Sequence, residues 1–492
     1  MQHHYLSIQV KYRFKLKRSV LYCDQCTGIC THRKWHQQLF DDSYFQGCTV
    51  YNIDYSQLAN ISWGERPSIT TTETAPCLYG IHYSFEGQNV AKKFDIGCTD
   101  GKLFPSTWQS LSIIGRVVGY LVMGTLSDWI GRKTILFISC ICLPITAILI
   151  VVSNSYILFI ISNLINSFFN GGLAVLFILI MEISGNIHRS GFLAVGCCCF
   201  ALGIGLTPMI NHIIKSYDIT VLIINLFFLI ILLFYRILPE SPAWLFVTHK
   251  INDIQDILEK AAKINKSYLN PYLKLIYADN NDRNNQLPKK RIFIWDIVFK
   301  PELSYEIIGI TYLTALYGLI FGSSYYSILE ALSKSYLANS FIALAILIGM
   351  LCGQICLFLM GHKKILQISI YLVFLSSVLL GIDLHEMEPL NTGPTITLLL
   401  ANISLVSLSY GVLLNYNVRT IPTLLRGTFS GIWRAVWAIF VWLGNHNHIK
   451  FPTPTIPLIL TCLVAGLFCL NFKDVHGREL PDTILDAVNF KV

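Results

Sequence analysis

The sequence predicts an all-α membrane protein with two bundles of helices and eleven membrane-spanning segments. Of its 492 residues, 53% are hydrophobic and 13% are charged, with a mean hydropathy of +0.54. Soluble domains carry roughly 25% charged residues. Apolar runs of about 20 residues, the length that crosses about 30 Å of hydrocarbon, recur along the chain. They fall into two groups separated by one long polar segment, which predicts two bundles.

Each run is predicted to form one spanning helix, because a helix satisfies its own backbone hydrogen bonds in lipid. Five runs belong to an N-terminal bundle, 106–238, and six to a C-terminal bundle, 305–472. In chain order the runs are 108–127, 134–153, 157–181, 191–213, 219–237, 306–326, 337–359, 364–382, 394–416, 428–447 and 454–471.

Lysine and arginine residues fall mainly in loops on one side of these spans. Cationic loops are retained in the cytoplasm, so the linker 239–304 and the tail 473–492 are predicted to be cytosolic. The formal net charge of +8 is then mainly a topological signal, and no nucleic-acid partner is expected.

The segment 1–105 combines six cysteines with the glycosylation sequon Asn60-Ile-Ser62. This combination indicates an oxidising, extracellular loop glycosylated at Asn60 and held by up to three disulfides of open connectivity. A zinc site is the weaker interpretation, because Cys23-x-x-Cys26 has no matching second pair. Residues 1–20 lack the apolar core of a signal peptide. The disulfide candidates are Cys23, Cys26, Cys30, Cys48, Cys77 and Cys98.

The stretch Gly124-Thr-Leu-Ser-Asp128-Trp-Ile-Gly131-Arg132-Lys133 joins the first two spans. We expect Asp128 to neutralise Arg132 or Lys133 and to cap the helix that follows. Gly124 and Gly131 allow close backbone approach. The pattern G-x-x-x-D-x-x-G-R-K resembles the signature loop of the major facilitator superfamily.

A second marker follows the fifth span, where Pro239-Glu-Ser-Pro-Ala-Trp-Leu245 resembles the P-E-S-P-R-W-L of sugar porters and organic-ion transporters. In such carriers these motifs form a conformational latch between the two halves. The resemblance assigns to the latch Gly124, Asp128, Gly131, Arg132, Lys133, Glu182, Arg189, Pro239, Glu240, Ser241, Pro242 and Arg426.

Further motifs are similar to those of the organic cation, anion and carnitine transporter family, solute carrier family 22. They are Cys48-x-x-Tyr-x-x-Asp-Tyr55, Pro76-Cys-x-x-Gly80, Phe94-x-x-x-Cys98, Pro422-Thr-x-x-Arg426 and Gly477-x-x-Leu-Pro-Asp-Thr483.

The resemblance implies a major facilitator fold of twelve spans, with two halves that rock around a central cavity. It also implies a plasma-membrane transporter that is not an enzyme and needs no cofactor or metal. Its partners would be a small organic ion and the bilayer, with the coupling ion left open. Eleven of the twelve spans are found and the first is missing. We expect that an incomplete gene model explains the missing span. The alternative is a short form that is inactive or inserts differently.

Several positions depart from the family pattern. Gly361-His-Lys-Lys364 stands where the family has G-R-R, and Arg419 stands where it has an acidic residue. Because these latches connect the halves, their erosion predicts a loosened conformational equilibrium or a silent carrier.

Two arginines lie inside predicted spans, where a charge costs about 3 kcal/mol or more and is usually functional. Arg116 and Arg434 are therefore candidate substrate contacts, and no acidic residue lies deep in a span. Guanidinium groups suit carboxylates and sulfates, so the balance predicts organic anions. Cation carriers of the family place an aspartate at the position of Ala438, one turn from Arg434. Both arginines have structural alternatives, since Arg434 could snorkel to the interface and Arg116 could pair within the bundle.

Tyr312, Tyr317 and Trp437 are aromatic candidates for the cavity wall, with lipid-facing or core positions as the alternative. The predicted function is alternating-access transport of small organic ions, with a preference for anions. A sugar-porter-like carrier and a transport-inactive receptor or scaffold derivative are the alternatives. No phosphate-binding G-x-x-x-x-G-K-[ST] loop is present, which argues against ATP-driven transport.

Overall fold

The computed structural model describes residues 107–186, 188–267, 294–332, 336–386, 393–445, 456–475 and 477–488, together with short elements before residue 107. Long helices in two bundles dominate this part of the chain. The predicted all-α membrane architecture is therefore confirmed for the region that follows residue 106.

Short strands precede the bundles and pair only with their neighbours. They are β1 (Tyr12–Leu16), β2 (Ser19–Asp24), β3 (Ile29–His32), β4 (Thr49–Tyr51), β5 (Thr74–Pro76), β6 (Cys98–Thr99) and β7 (Lys102–Leu103). The β2–β3 register sets Cys23 opposite Cys30. Asn60, Cys26, Cys48 and Cys77 lie outside the described residues. The disulfides and the glycan stay predictions.

The first bundle follows one short helix, α1 (Val90–Phe94). Its helices are α2 (Thr107–Ile130), α3 (Arg132–Val152), α4 (Tyr156–Gly172), α5 (Val175–Ile183), α6 (Arg189–Ile214), α7 (Tyr217–Leu226) and α8 (Phe228–Leu233). Two linker helices come next, α9 (Pro242–Val247) and α10 (Ile251–Asn265).

The second bundle begins with α11 (Ile294–Val298) at the end of the linker. The helices after it are α12 (Pro301–Ala331), α13 (Tyr336–Leu359), α14 (His362–Glu386), α15 (Gly393–Thr420), a 3₁₀ turn (Thr423–Leu425), α16 (Arg426–Asn445), α17 (Ile456–Asn471) and α18 (Ile484–Val488).

All eleven predicted runs are helical, with α4–α5 and α7–α8 each forming one broken run. Within the described part of the chain, eight are long and apolar enough to cross a membrane by length and composition. The other three are the short apolar segments Tyr217–Leu233 and Thr461–Asn471, and α16, which carries Arg426 and Arg434. The count of eleven spans stays a prediction.

Glycines bring α2 of the first bundle against α16 of the second. A Cβ atom added at Gly124 would lie 2.6 Å from the carbonyl oxygen of Gly427, and one at Gly431 would collide with the carbonyl oxygen of Tyr120. Backbones this close require glycine. A second contact between the bundles joins α6 to α13, where Gly205 faces Ala343. The α2–α16 contact places the predicted latch between the bundles.

The end of the N-terminal segment is anchored on the first bundle by Lys93. Its Nζ atom lies 2.6 Å from Asp218 Oδ2 and donates to the carbonyl oxygens of Ile150 and Val151 at 3.4 and 3.2 Å. A cation at the carboxyl terminus of α3 complements the helix dipole. Asp218 is therefore engaged in an ion pair at the bundle end opposite the latch.

Candidate functional site

Asp128, in the last turn of α2, joins the two bundles at the latch. Its Oδ1 atom accepts a hydrogen bond from Gly427 N at 2.9 Å. Its Oδ2 atom accepts from Thr428 N at 2.7 Å and from the Thr428 hydroxyl at 2.8 Å. The first N–H groups of a helix have no intrahelical acceptor, so this carboxylate caps α16 of the opposite bundle.

The expectation that Asp128 caps the helix after it is wrong. Glu240 does so instead, because its Oε1 atom accepts from Arg132 N at 3.0 Å and from Lys133 N at 3.1 Å. Gly131 turns the chain with a φ of +121°, a conformation that suits glycine. This turn leaves the Asp128 carboxylate facing α16 across the interface between the bundles.

Arg132 links Asp128 to a second buried carboxylate. Its Nη2 atom lies 3.1 Å from Asp128 Oδ1, and its Nε atom donates to Glu182 Oε2 at 3.1 Å. From the second bundle, Arg426 Nη1 reaches Glu182 Oε1 at 2.5 Å. These two carboxylates and two guanidiniums are almost fully buried and balance in charge. A buried group of this kind is sensitive to the loss of any member.

Lys133 does not join this network, although the sequence allowed it to pair with Asp128. Its Nζ atom lies 4.2 Å from the centre of the Tyr235 ring. The pairing predicted between Asp128 and Arg132 is the one that the structure contains.

The P-E-S-P segment holds the linker against the latch. The Ser241 hydroxyl caps α9 by accepting from Trp244 N at 3.2 Å, and Pro242 occupies the first turn of that helix. Trp244 Nε1 in turn donates to the carbonyl oxygen of Asp128 at 2.8 Å. This chain of contacts ties Glu240 and its neighbours to the end of α2.

The C-terminal tail also binds at the latch. The carbonyl oxygen of Pro481 accepts from Arg426 Nη2 at 3.0 Å and from Thr423 N at 3.2 Å. The Thr423 hydroxyl donates to Asp482 Oδ1 at 3.0 Å. Burial raises the pKa of Asp482, while the hydrogen bond from Thr423 acts in the opposite direction. The tail therefore packs over Arg426 and covers the charged network.

Arg434 lies two turns into α16 from the latch, at the interface between the bundles. Its guanidinium carbon lies 4.6 Å from the centre of the Phe177 ring on α5 of the first bundle. The Nε atom is buried without a hydrogen-bond partner. Arg434 makes no ion pair with the described residues. It therefore presents an uncompensated positive charge where the two bundles meet.

A cluster of three further aromatic rings lies near this charge. Tyr410 on α15 lies within electrostatic range of Arg434 and stacks on Trp437, with ring centres 3.8 Å apart. The Phe321 ring on α12 also contacts Trp437, with ring centres 5.5 Å apart. An arginine beside stacked rings can hold an anionic group and an apolar body together. Arg434 and Trp437, two of the predicted substrate contacts, are thus brought together.

The other predicted substrate contacts lie elsewhere. The Tyr312 hydroxyl donates to the carbonyl oxygen of Thr461 at 2.9 Å, so it faces α17. Tyr317 is fully buried in the core of the second bundle. Arg116 is exposed on α2, one turn from Tyr120 and without a partner in the described part of the chain. Tyr312 and Tyr317 are therefore not part of the proposed site.

Three residues that complete the site and the latch were not predicted from the sequence: Thr428, Phe177 and Tyr410. Thr423 was part of the Pro422-Thr-x-x-Arg426 motif but had no predicted role in the latch. A signal existed for Thr428, because it stands in the first turn of α16, where free N–H groups need an acceptor. Nothing local distinguishes Phe177 or Tyr410 from the many aromatic residues of the other spans.

Comparison with known proteins shows which transporters the chain resembles. Residues 85–292 match the family model "Sugar (and other) transporter". The chain is 24% identical over 456 residues to an organic cation transporter protein of Drosophila melanogaster, covering 90% of this chain and 81% of that protein. It is 24% identical over 466 residues to organic cation/carnitine transporter 2 of Rattus norvegicus, covering 91% and 81%. Over about nine tenths of its length the chain is similar to members of solute carrier family 22.

The chain also shares the major facilitator fold with solved structures. The proton:xylose symporter XylE, bound to 6-bromo-6-deoxy-D-glucose, superposes with a TM-score of 0.62 at 16% identity, covering 78% of this chain and 88% of that one. The human organic anion transporter MFSD10 (TETRAN) superposes with a TM-score of 0.54 at 16% identity, covering 74% and 82%. At this identity the likeness establishes the fold alone.

Proposed function

We propose that this chain is a member of solute carrier family 22 that transports small organic ions across the membrane by alternating access, with a preference for organic anions. The observation that carries the proposal is the position of Arg434. Its guanidinium lies between the bundles, and no carboxylate of the described residues pairs with it. A site with a net positive charge attracts anions and repels cations.

The acidic groups at the span ends are already engaged elsewhere. Asp128 and Glu182 bind the latch arginines, and Asp218 pairs with Lys93. Glu306 accepts from the Tyr416 hydroxyl and, at 2.9 Å, from the backbone N–H group of Lys473, just after α17. Each carboxylate therefore has its own structural partner, and a cationic substrate would lack a counterion beside Arg434.

The curated relatives named above include carriers of organic cations. In the cation carriers the family pattern places an aspartate where this chain has Ala438. Without that carboxylate, the chain lacks the feature that suits a cation, while Arg434 stands one turn away. The proposed preference for anions follows because a negative charge is absent at Ala438 and a positive charge is present at Arg434.

The aromatic neighbours of Arg434 suggest an anion with an apolar or aromatic body. The Tyr410–Trp437 stack offers a flat surface next to the guanidinium. A carboxylate or sulfate could bind Arg434 bidentately while a ring packs on this stack.

Alternating access would require the latch to open. Asp128 holds the N-terminus of α16, and Glu182 is shared by an arginine from each bundle. Breaking these contacts at one end while the bundles close at the other would move access to Arg434 from one side of the membrane to the other. We further propose a plasma-membrane location, with the linker and the C-terminus in the cytoplasm.

Uptake by the purified chain in proteoliposomes tests the function. Three labelled probes of similar size are compared: an aromatic carboxylate, an aromatic quaternary ammonium and a neutral hexose. We expect saturable uptake of the carboxylate that exceeds uptake of the ammonium. Preferred hexose uptake would favour a sugar-porter-like carrier. Uptake of none of the three by folded protein would favour a transport-inactive derivative, and either result would overturn the proposal.

A further inference from the structure

Two buried arginines from opposite bundles meet at the latch end. Arg189 begins α6 of the first bundle, and Arg419 lies in the last turn of α15 of the second. Both donate to the amide oxygen of Asn186, from Nη1 of Arg189 at 3.4 Å and from Nη1 of Arg419 at 3.3 Å. Because one oxygen accepts from both guanidiniums, two positive charges lie side by side across the interface.

The remaining partners of this arginine pair are neutral oxygens. Within the described residues, neither guanidinium makes an ion pair, in contrast to Arg132 and Arg426, which share Glu182. The acceptors are Met181 O at 2.7 Å and Ser184 O at 3.2 Å for Arg189, and Asn415 Oδ1 at 2.9 Å and Arg478 O at 3.1 Å for Arg419.

The burial of this pair is unfavourable without a counterion. Arg189 and Arg419 expose only 8% and 3% of their surface. Hydrogen bonds to neutral oxygens satisfy the N–H donors but do not neutralise the positive charges. Like charges at close range also repel each other. The family pattern has an acidic residue at the position of Arg419, which would have supplied the missing negative charge.

The arginine pair lies close to a solvent-exposed rim. Asn186 Nδ2 donates to the carbonyl oxygen of Gly477 in the tail at 2.9 Å. Gly185 and Gly477 are both exposed, and a Cβ atom at either would meet no atom within 4 Å. Glu479, also exposed, acts electrostatically on Arg189 from the same tail segment. The open space at these two glycines is the side from which a small anion would reach the pair, with one tail carboxylate as a competitor.

We propose that Arg189 and Arg419 bind a phosphate-type oxyanion between the two bundles. Guanidinium forks match the oxygen geometry of phosphate, and a dianion would neutralise both charges. The source could be inorganic phosphate or the phosphorylated headgroup of a lipid, which share this chemistry. Because each arginine belongs to a different bundle, the anion binds more tightly when the bundles are together at this end, and it stabilises that state.

The test titrates potassium phosphate into the purified full chain in neutral detergent at constant ionic strength, with chloride as the balancing anion. The thermal midpoint Tm reports binding. We expect phosphate to raise Tm, with an apparent affinity at least roughly tenfold weaker in Arg419→Gln. Lys364→Gln removes an exposed cation from the same end and should respond like the parent. Glu479→Gln removes the competitor and should bind phosphate more tightly.

A second variant distinguishes loss of the phosphate site from misfolding. Arg419→Glu should lose the phosphate response and raise Tm without phosphate, because the new carboxylate can pair with Arg189. A parallel arm with a water-soluble phosphoinositide separates the two sources, since a response to this probe alone identifies the lipid headgroup. An equal response to phosphate in the parent, Arg419→Gln and Arg419→Glu, or no response to either probe in the parent, would overturn the proposal. These readouts do not depend on transport.

Discussion

The carboxylate of Asp128 in the first bundle accepts two hydrogen bonds from Thr428 in the second, one from its N–H group at 2.7 Å and one from its hydroxyl at 2.8 Å. Three hundred residues separate the two. A helix N-terminus carries partial positive charge, so a buried carboxylate is well placed there. The contact closes the bundles at one end, and its strength should influence which state the carrier occupies.

Replacing Asp128 with asparagine should open this end. The Asp128→Asn side chain would keep the shape but lose the charge, and its amide NH₂ group would face the N–H donors of α16. Removing one partner of a buried pair typically costs about 3–5 kcal/mol. A Ser190→Cys reporter, at a position that Asn415 contacts across the interface, should react faster with a membrane-impermeant maleimide. Asp253→Asn, at an exposed position of α10, serves as the control. Equal labelling rates in the two variants would contradict the role of Asp128.

Glu182 and Arg426 should be energetically coupled across the bundles. Their side chains are buried and in direct contact, so each single substitution leaves an uncompensated charge. Unfolding free energies of Glu182→Gln, Arg426→Gln and the double variant, measured in mixed micelles, form a double-mutant cycle. We expect the double variant to lose about 1–3 kcal/mol less than the sum of the single losses. Additive losses would show that the contact contributes little.

The α2–α16 interface should tolerate no side chain at Gly431. A Cβ atom there collides with the backbone oxygen of Tyr120, so Gly431→Ala should force the helices apart and lower Tm by several degrees. Gly203→Ala is the matched control, since that glycine also lies in a span and faces open space. Alanine forms helix better than glycine, so the control should keep or slightly raise Tm. A smaller loss for Gly431→Ala than for Gly203→Ala would argue against this packing.

The linker and the cysteine-bearing N-terminal segment should lie on opposite faces of the membrane. In intact cells, an Asn252→Cys reporter on the exposed side of α10 should react with an impermeant maleimide only after permeabilisation. A glycosidase should reduce the apparent mass of the parent chain but not of Asn60→Gln. Labelling of Asn252→Cys in intact cells that also carry the glycan would place both segments outside and refute the layout.

Local sequence features predicted much of the fold but little of the interface. The eleven helical runs follow from hydropathy, because each spanning helix satisfies its own backbone. The Asp128–Arg132 pair is likewise local, at a spacing of one helical turn. The cap of Asp128 on α16 and the approach of Arg189 to Arg419 depend on how distant segments pack, which no local pattern contains. The orientation of Tyr312 also depends on packing, because the contact between α12 and α17 places its hydroxyl beside the carbonyl oxygen of Thr461.

The charge selectivity of uptake tests the central claim most directly. The ratio of aromatic carboxylate to aromatic ammonium uptake is measured for the parent, for Arg434→Gln, and for Arg236→Gln, which removes an exposed cation outside the proposed site. Loss of a charge-assisted contact typically costs about 1.5–3 kcal/mol, so we expect the ratio to fall at least roughly tenfold in Arg434→Gln. Arg236→Gln should match the parent. A parent that prefers the ammonium, with a ratio that Arg434→Gln leaves unchanged, would contradict the account.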